Sequence, residues 1–147
     1  MKQESGRSMI EIVGVLAIGL VMIVSAYNMY KSIDQRQKRL VASEAIEDVA
    51  KKTKILYEYS DYKNVSLTAL RDKGAISDTR APIGTSWSVA KNGSNTKEFL
   101  ITLNGLTFDE CEYFVIKKAD WAKGKIINGS KDGKCNSNSN VFAFIVE

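Results

Sequence analysis

The sequence predicts an α+β fold in which one long N-terminal helix packs against a small head built on an antiparallel sheet. Three observations lead to this prediction. Nineteen consecutive residues, Ile12 to Tyr30, carry no charge. The next stretch, Lys31 to Tyr59, contains neither proline nor glycine and keeps apolar residues at helical spacing. The remainder, residues 60–147, alternates turn signals with short apolar runs that are typical of strands.

Composition limits the class of protein before any motif is considered. The chain has 147 residues, of which 44% are hydrophobic and 26% charged, so it is long enough for one modest globular domain and is not a disordered polymer. It has no histidine, which removes the commonest general base and the commonest zinc ligand. Its two cysteines are too few for a four-thiolate metal site. Composition therefore excludes histidine-dependent nucleophile pairs and the commonest zinc sites.

The uncharged stretch is long enough to cross a membrane. A helix over Ile12–Tyr30 spans about 30 Å at roughly 1.5 Å per residue, which matches the hydrocarbon core of a bilayer. The alternatives at this point are a secretory signal cleaved after Val24-Ser25-Ala26, a permanent anchor, or a buried helix that a domain this small can seldom surround. Glu11 lies at the start of the stretch, where an unpaired carboxylate is costly, and it is therefore a candidate functional residue.

The residues that precede the apolar stretch resemble the processing site of a known family. The run Gly6-Arg7-Ser8-Met9-Ile10-Glu11 is similar to the class III leader junction of type IV pilins and pseudopilins. In that family a prepilin peptidase cuts after the glycine and N-methylates the next residue, and a glutamate stands fifth after the cut. The resemblance implies cleavage between Gly6 and Arg7, N-methylation of Arg7, and an assembly role for Glu11, which is fifth when Arg7 is counted as first.

Two residues depart from the family's pattern. Arg7 stands where the family usually has phenylalanine, methionine or another apolar residue. Asn28 stands where many pilins carry a proline, so the predicted helix lacks the kink that proline imposes. Any local melting of the helix during assembly is therefore expected at Gly14 and Gly19.

The resemblance implies a division of the chain and a role for each part. Residues 1–6 are a leader, residues 7–30 the hydrophobic transmembrane and assembly helix, residues 31–59 the amphipathic half of the same helix, and residues 60–147 the α+β head. The implied function is structural, with no enzymatic activity and no cofactor. The subunit is inserted in the bacterial inner membrane with its head in the periplasm, and is then extracted and polymerised into an extracellular type IV pilus. The implied partners are the prepilin peptidase, the membrane, identical or related subunits, and the inner-membrane assembly machinery.

The amphipathic half of the helix is expected to pack on the head through one apolar stripe. Spacings of three, four and seven place the following residues in that stripe: Ile33, Leu40, Val41, Ala45, Ile46, Val49 and Leu56. The elements predicted within the head are a short helix over Leu67–Arg71, strands over Ser86–Ala90 and Glu98–Leu103 joined at Asn92-Gly93, a helix over Phe108–Trp121 with Thr107 as its N-cap, and a last strand over Asn140–Val146.

The order of elements near the C-terminus resembles the second half of type IVb-like pilin heads. A strand is followed by a short helix with Cys111, an Ile127-Asn128-Gly129 segment, Cys135 and a final strand. The resemblance implies a Cys111–Cys135 disulfide that closes a loop of about 25 residues and needs an oxidising compartment such as the periplasm. Two unrelated thiols in a cytosolic domain are the alternative.

Two other functions stay open from the sequence. One is a type II secretion pseudopilin, and the other is a monomeric periplasmic binding protein that is anchored or secreted. The distribution of basic residues also opposes a periplasmic head, because more lysine and arginine follows the helix (Lys31, Arg36, Lys38 and Arg39) than precedes it (Lys2 and Arg7).

The remaining candidate sites are weak. Asn128-x-Ser130-x-Asp132-Gly133 is similar to the start of a calcium loop, but Ser139 occupies the position where such loops end in glutamate. The net charge is +4, but the lysines are scattered along the chain and not aligned in a patch, so nucleic acid is not an expected partner.

Overall fold

The computed structural model describes residues 4–147, and for residues 4–8 it describes the backbone alone. The chain forms two compact units, one ending at Lys38 and the other spanning Arg39–Glu147. Helix α1, Glu4–Leu56, supplies residues to both units. The predicted α+β class is confirmed, because α1 is followed by a four-stranded antiparallel sheet and by a disulfide in the C-terminal region.

Helix α1 is stabilised along its second half by ion pairs between residues four apart. These pairs are Asp34–Lys38 at 2.6 Å, Glu47–Lys51 at 2.7 Å and Asp48–Lys52 at 2.7 Å. Each is exposed to solvent and contributes only a few tenths of a kcal/mol, but all three have the acid on the N-terminal side, which is the favourable order.

The helix ends at Leu56, three residues before the predicted end at Tyr59. Tyr57 is buried, and its ring lies 5.7 Å, centroid to centroid, from that of Tyr62 in the 3-10 helix Tyr62–Asn64. Burial of this aromatic pair outweighs the continued helical hydrogen bonding of an exposed end, so the chain turns there.

The prediction of one apolar stripe on the second half of α1 is in part wrong. The residues that α1 buries in the core of the second unit are Ala42, Ile46, Val49 and Ala50. Leu40, Val41 and Ile33 are instead more than half exposed, and Leu56 is just over one third exposed. Since each residue turns a helix by about 100°, Leu40 lies about 200° from Ala42 and cannot share its face. The helix therefore carries a second apolar surface that the head does not cover.

The sheet has the order β1-β2-β4-β3, and all neighbouring strands are antiparallel. Its strands are β1 Ser86–Asn92, β2 Asn95–Leu106, β3 Gly124–Ile127 and β4 Asn140–Val146. The turn between β1 and β2 is Gly93-Ser94, one residue later than predicted. The last strand of the chain, β4, pairs on both edges, so the C-terminus returns to the middle of the sheet and β3 lies at its edge.

The core lies on one face of the two central strands. Alternating residues of β2, Phe99, Ile101 and Leu103, are fully buried. On β4 the buried aromatic rings of Phe142 and Phe144 lie 5.7 Å and 5.8 Å from the ring of Phe114. The short helix α2, Leu67–Asp72, adds fully buried Leu70 to the same core.

Helix α3 spans Phe108–Ile116 and begins as predicted but ends five residues before Trp121. At its start, Thr107 and Glu110 form a reciprocal capping box. At its end, the Lys125 ammonium donates to the carbonyls of Phe114 at 2.8 Å, Val115 at 3.0 Å and Lys117 at 2.8 Å. The first two carbonyls are those that a longer helix would have used, so a residue of β3 fixes the end of α3. Burial lowers the pKa of Lys125.

Candidate functional site

Within the described residues, the first unit presents an apolar helical surface that is exposed along its length. The large apolar side chains from Met9 to Tyr30 are each more than half exposed. Burying one such side chain releases roughly 1.5–3 kcal/mol, so the set together represents on the order of 20 kcal/mol. That exceeds the about 5–15 kcal/mol by which a typical domain is stable. This segment is long and apolar enough to cross a membrane, and it also has the features of a signal sequence near an N-terminus.

Glu11 is the single charged residue on this surface from Met9 to Tyr30. Its side chain is exposed on α1, beside the apolar turn formed by Ile12 and Val15. The next cation toward the C-terminus is Lys31, which is twenty residues and therefore about 30 Å farther along the helix. A partner for this carboxylate in an apolar medium must therefore come from the N-terminal end of the helix or from another molecule.

The predicted processing site falls at the limit of the described residues. The backbones of Gly6 and Arg7 belong to α1, but the side chain of Arg7 lies outside the described part of the chain, as do residues 1–3 altogether. Cleavage after Gly6 and N-methylation of Arg7 therefore stay predictions, as does the assembly role of Glu11.

The Cys111–Cys135 disulfide is confirmed. Cys111 is fully buried on α3, and Cys135 lies in the loop that joins β3 to β4, with the two Cα atoms 5.9 Å apart. The bond closes the loop that the sequence resemblance implied, and it ties the polar segment before β4 to a helix that packs in the core.

A buried asparagine, which sequence reasoning missed, organises the same loop. Asn140 has no exposed surface, and its Nδ2 lies within 3.3 Å of the carbonyls of Leu106, Asn136 and Asn138. Its Oδ1 accepts from the Asn136 main-chain nitrogen at 2.8 Å and from Asn128 Nδ2 at 3.0 Å. The run of asparagine and serine before β4 looked like a solvated loop, so no local signal distinguished Asn140.

In the segment that is similar to the start of a calcium loop, residues 128–133, polar groups form hydrogen bonds within the protein. Asn128 uses its Nδ2 on the Lys134 carbonyl at 2.9 Å and accepts the Val141 main-chain N–H on its Oδ1 at 2.9 Å. Gly133 lies so close to Ile127 that a Cβ there would sit 1.9 Å from the Ile127 carbonyl oxygen. Among the side chains described, no group of three or more acidic, cysteine or histidine residues is placed to hold a metal. The segment is a tightly closed turn.

A charged cluster at the other end of the sheet was also missed. Glu98 on β2 is buried, and its carboxylate accepts from Asn92 Nδ2 at 2.7 Å and from Lys123 Nζ at 2.6 Å. Lys123 Nζ also lies 3.1 Å from the Glu147 carboxylate. The hydrogen bond from Lys123 lowers the pKa of Glu98, and its carboxylate partner raises the pKa of Lys123. The cluster joins β1, β2 and the segment before β3, which are distant in the sequence.

Replacing Glu98 by glutamine is expected to reduce the acid sensitivity of the fold. The folded-state pKa of Glu98 is below its ordinary value of 4.5, so its stabilisation is present above that pH and is lost as the pH falls through the folded value. The free energy of unfolding, measured by urea titration from about pH 6 to about pH 3, should therefore fall less steeply in Glu98→Gln than in the wild type. The matched control is Glu58→Gln, at an exposed carboxylate near the end of α1. Equal slopes for wild type and Glu98→Gln would contradict this account.

Comparison with known proteins adds no family. Neither the models of known protein families nor the curated protein sequences give a match to this chain.

Proposed function

We propose that this protein is a type IV pilin-like subunit that polymerises into a filament through its N-terminal helix. The observation that carries the proposal is the exposed, uncharged surface from Ile12 to Tyr30, which begins directly after Glu11. Such a surface needs an apolar environment at every stage. A bilayer supplies it before assembly, and the helices of neighbouring subunits supply it afterwards.

The second half of α1 supports the same packing. Leu40 and Val41 are exposed on a side of the helix that the core of the second unit does not use. In a filament these residues extend the apolar contact from the membrane-spanning part of one subunit along the helices of its neighbours. In a monomer they would remain in water at a cost.

Glu11 acts in this proposal as the group that sets the axial position of each subunit. A carboxylate in a dry helical core costs several kcal/mol unless an opposite charge stands at the same height. Cleavage after Gly6 would create a positively charged amine on Arg7, four residues before Glu11. The amine of one subunit and Glu11 of its neighbour form an ion pair only when the two helices are in the correct register.

The disulfide supports an exported head. Disulfides persist in oxidising compartments, and the bond between Cys111 and Cys135 therefore favours the periplasm or the cell surface. The basic residues that follow the apolar helix favour the opposite orientation. We give more weight to the disulfide, because a subunit that is later extracted from the membrane need not obey the charge rule of permanent spans.

The proposal assigns partners and places to the chain. A prepilin peptidase in the inner membrane removes residues 1–6, inner-membrane machinery extracts the subunit, and copies of the same or related chains receive it. The filament is extracellular. No enzymatic step belongs to the chain itself, and no cofactor is needed.

Fractionation of cells that make the chain tests the proposal. The chain should be recovered in filaments that are sheared from the cell surface and seen by negative-stain electron microscopy, with antibody label along their length. Short polymers confined to the periplasm would favour a pseudopilin. Recovery as a monomer, in the membrane or in the medium, would contradict polymerisation and favour a binding protein.

A further inference from the structure

Three asparagines of this chain are followed directly by glycine, a pair with a chemistry of its own. The pairs are Asn92-Gly93, Asn104-Gly105 and Asn128-Gly129. The glycine main-chain nitrogen can attack the asparagine side-chain carbonyl carbon, because no Cβ on the glycine hinders the approach. A nitrogen–carbon bond forms, the bond from that carbon to the amide nitrogen breaks, and ammonia leaves with the proton of the attacking nitrogen. Water then opens the cyclic imide to aspartate or isoaspartate.

The fold protects Asn128. Both ends of its side-chain amide are held, by the Lys134 carbonyl, the Asn140 Oδ1 and the Val141 main-chain N–H, all within 3.0 Å. The amide cannot rotate toward Gly129 unless these bonds break. Because Asn140 itself is fully buried, that opening would involve the packed loop as a whole.

The fold also protects Asn104. This residue lies inside β2, where its carbonyl accepts the Thr85 main-chain N–H at 2.8 Å and its Nδ2 donates to Ser86 Oγ at 3.2 Å. Gly105 packs so closely on Thr85 that a Cβ there would lie 2.2 Å from the Thr85 hydroxyl oxygen. This packing and the strand pairing hold the backbone in place, so the Gly105 nitrogen can reach the Asn104 side-chain carbonyl carbon only when β2 opens locally.

Asn92 differs because it lies at the end of β1, next to the exposed turn. The β1–β2 register shifts between Lys91 and Asn92, and a Cβ on Gly93 would meet nothing within 4 Å. Gly93 donates its main-chain N–H to the Lys91 carbonyl at 3.1 Å, a three-residue turn bond that opens without disturbing the core. The side chain of Asn92 is held by one hydrogen bond, from its Nδ2 to Glu98 at 2.7 Å.

We propose that Asn92-Gly93 is the site at which this protein is spontaneously deamidated in its folded state. The reaction has a structural consequence that follows from the Glu98 cluster. It removes the amide donor to Glu98 and puts a new carboxylate beside it, so Lys123, which already pairs with Glu98 and Glu147, then has three carboxylates in its cluster. The isoaspartate product also adds a main-chain atom to the turn. Deamidation at Asn92 would therefore weaken the β1–β2 turn with time in a long-lived copy of the protein.

Peptide mass mapping of the purified full-length chain tests the proposal. Folded protein in detergent and urea-unfolded, reduced protein are incubated at the same mildly alkaline pH, and conversion at each asparagine is followed by the mass increase and by separation of the isoaspartyl peptide. In the unfolded chain the three sites should convert at similar rates. In the folded chain Asn92 should remain within about tenfold of its unfolded rate, while Asn104 and Asn128 should be slower by more than about a hundredfold.

Two variants, each with a matched control, make the test more specific. In the unfolded chain Gly93→Ala should slow conversion at Asn92, because the added methyl group hinders the attacking nitrogen, and Gly129→Ala should leave Asn92 unchanged. The comparison is made in the unfolded chain because both glycines have a positive φ in the fold, where alanine is strained. Asn92→Asp should lower the urea midpoint of the fold, whereas Asn64→Asp, at an exposed position outside the cluster, should not. Folded protein in which Asn92 converts no faster than Asn128 would overturn the proposal.

Discussion

Replacing Glu11 by glutamine is expected to abolish filament formation while leaving the head folded. Glutamine keeps the size of the side chain but removes the charge that, in the proposed filament, pairs with the N-terminal amine of the neighbouring subunit. An incoming subunit then loses the interaction that distinguishes the correct axial position from positions one helical turn away. The yield of sheared filaments should fall by at least about tenfold, which corresponds to about 1.4 kcal/mol per subunit.

The control for Glu11→Gln lies on the same helix. Glu44 is an exposed glutamate on the second half of α1, and Glu44→Gln makes the same chemical change away from the apolar stretch. We expect Glu44→Gln to assemble like the wild type. Both variants should keep the wild-type urea unfolding curve of the head, since Glu11 belongs to the other compact unit. Filaments in normal yield from Glu11→Gln would eliminate the proposed role of this carboxylate.

Removing the disulfide is expected to produce the largest loss of stability among the substitutions considered for the head. The two cysteines are 24 residues apart in the sequence. On the chain-entropy model, a bond that closes a loop of this length stabilises the fold by about 3 kcal/mol. The double variant Cys111→Ala/Cys135→Ala should therefore unfold at a midpoint roughly 10 °C lower, at about 4 °C per kcal/mol. Because Cys111 is fully buried, the missing sulfur adds a small cavity to this loss.

Reduction provides the matched comparison for the disulfide. A thiol reductant should lower the melting temperature of the wild type nearly to that of the double variant and should leave the double variant unchanged. Limited proteolysis should then cut within the loop between β3 and β4, which the bond ties to α3. A wild-type melting temperature that does not respond to reductant, with the bond shown to be open, would contradict a stabilising role.

The elements that the sequence predicted well are those whose signals are local. The long uncharged stretch, the absence of proline and glycine from Lys31 to Leu56, and the Thr107 cap are each visible within one continuous segment of the chain. The apolar runs of β2 and β4 are equally local: the prediction for β4, Asn140–Val146, matches the structure, and the prediction for β2, Glu98–Leu103, lies inside the longer strand Asn95–Leu106. These parts of the fold need no knowledge of distant contacts.

What the sequence did not predict depends on residues that are far apart in the chain. The end of α3 is set by Lys125, and strand β3 has only four residues, too few for a periodic pattern. Glu98 meets Lys123 across 25 residues, and Asn140 meets Leu106 across 34. The two apolar faces of α1 cannot be distinguished in the sequence, because helical spacing does not indicate which face packs in the core of the head.

The predictions for the candidate site also fall into two groups, those that depend on this chain alone and those that depend on other molecules. The disulfide follows from the resemblance of the head and is confirmed by the structure. The roles of Gly6, Arg7 and Glu11 concern a peptidase and neighbouring subunits, so they depend on molecules other than this chain and stay predictions.

The intact mass of the chain recovered from the cell surface is the most direct test of the proposed function. We expect the mass of residues 7–147 with one added methyl group and one disulfide bond, as processing by a prepilin peptidase requires. A chain that begins after Ala26 would identify a secreted protein without an assembly helix. A chain that keeps residues 1–6 would identify a permanent anchor, and either of these results would contradict the account.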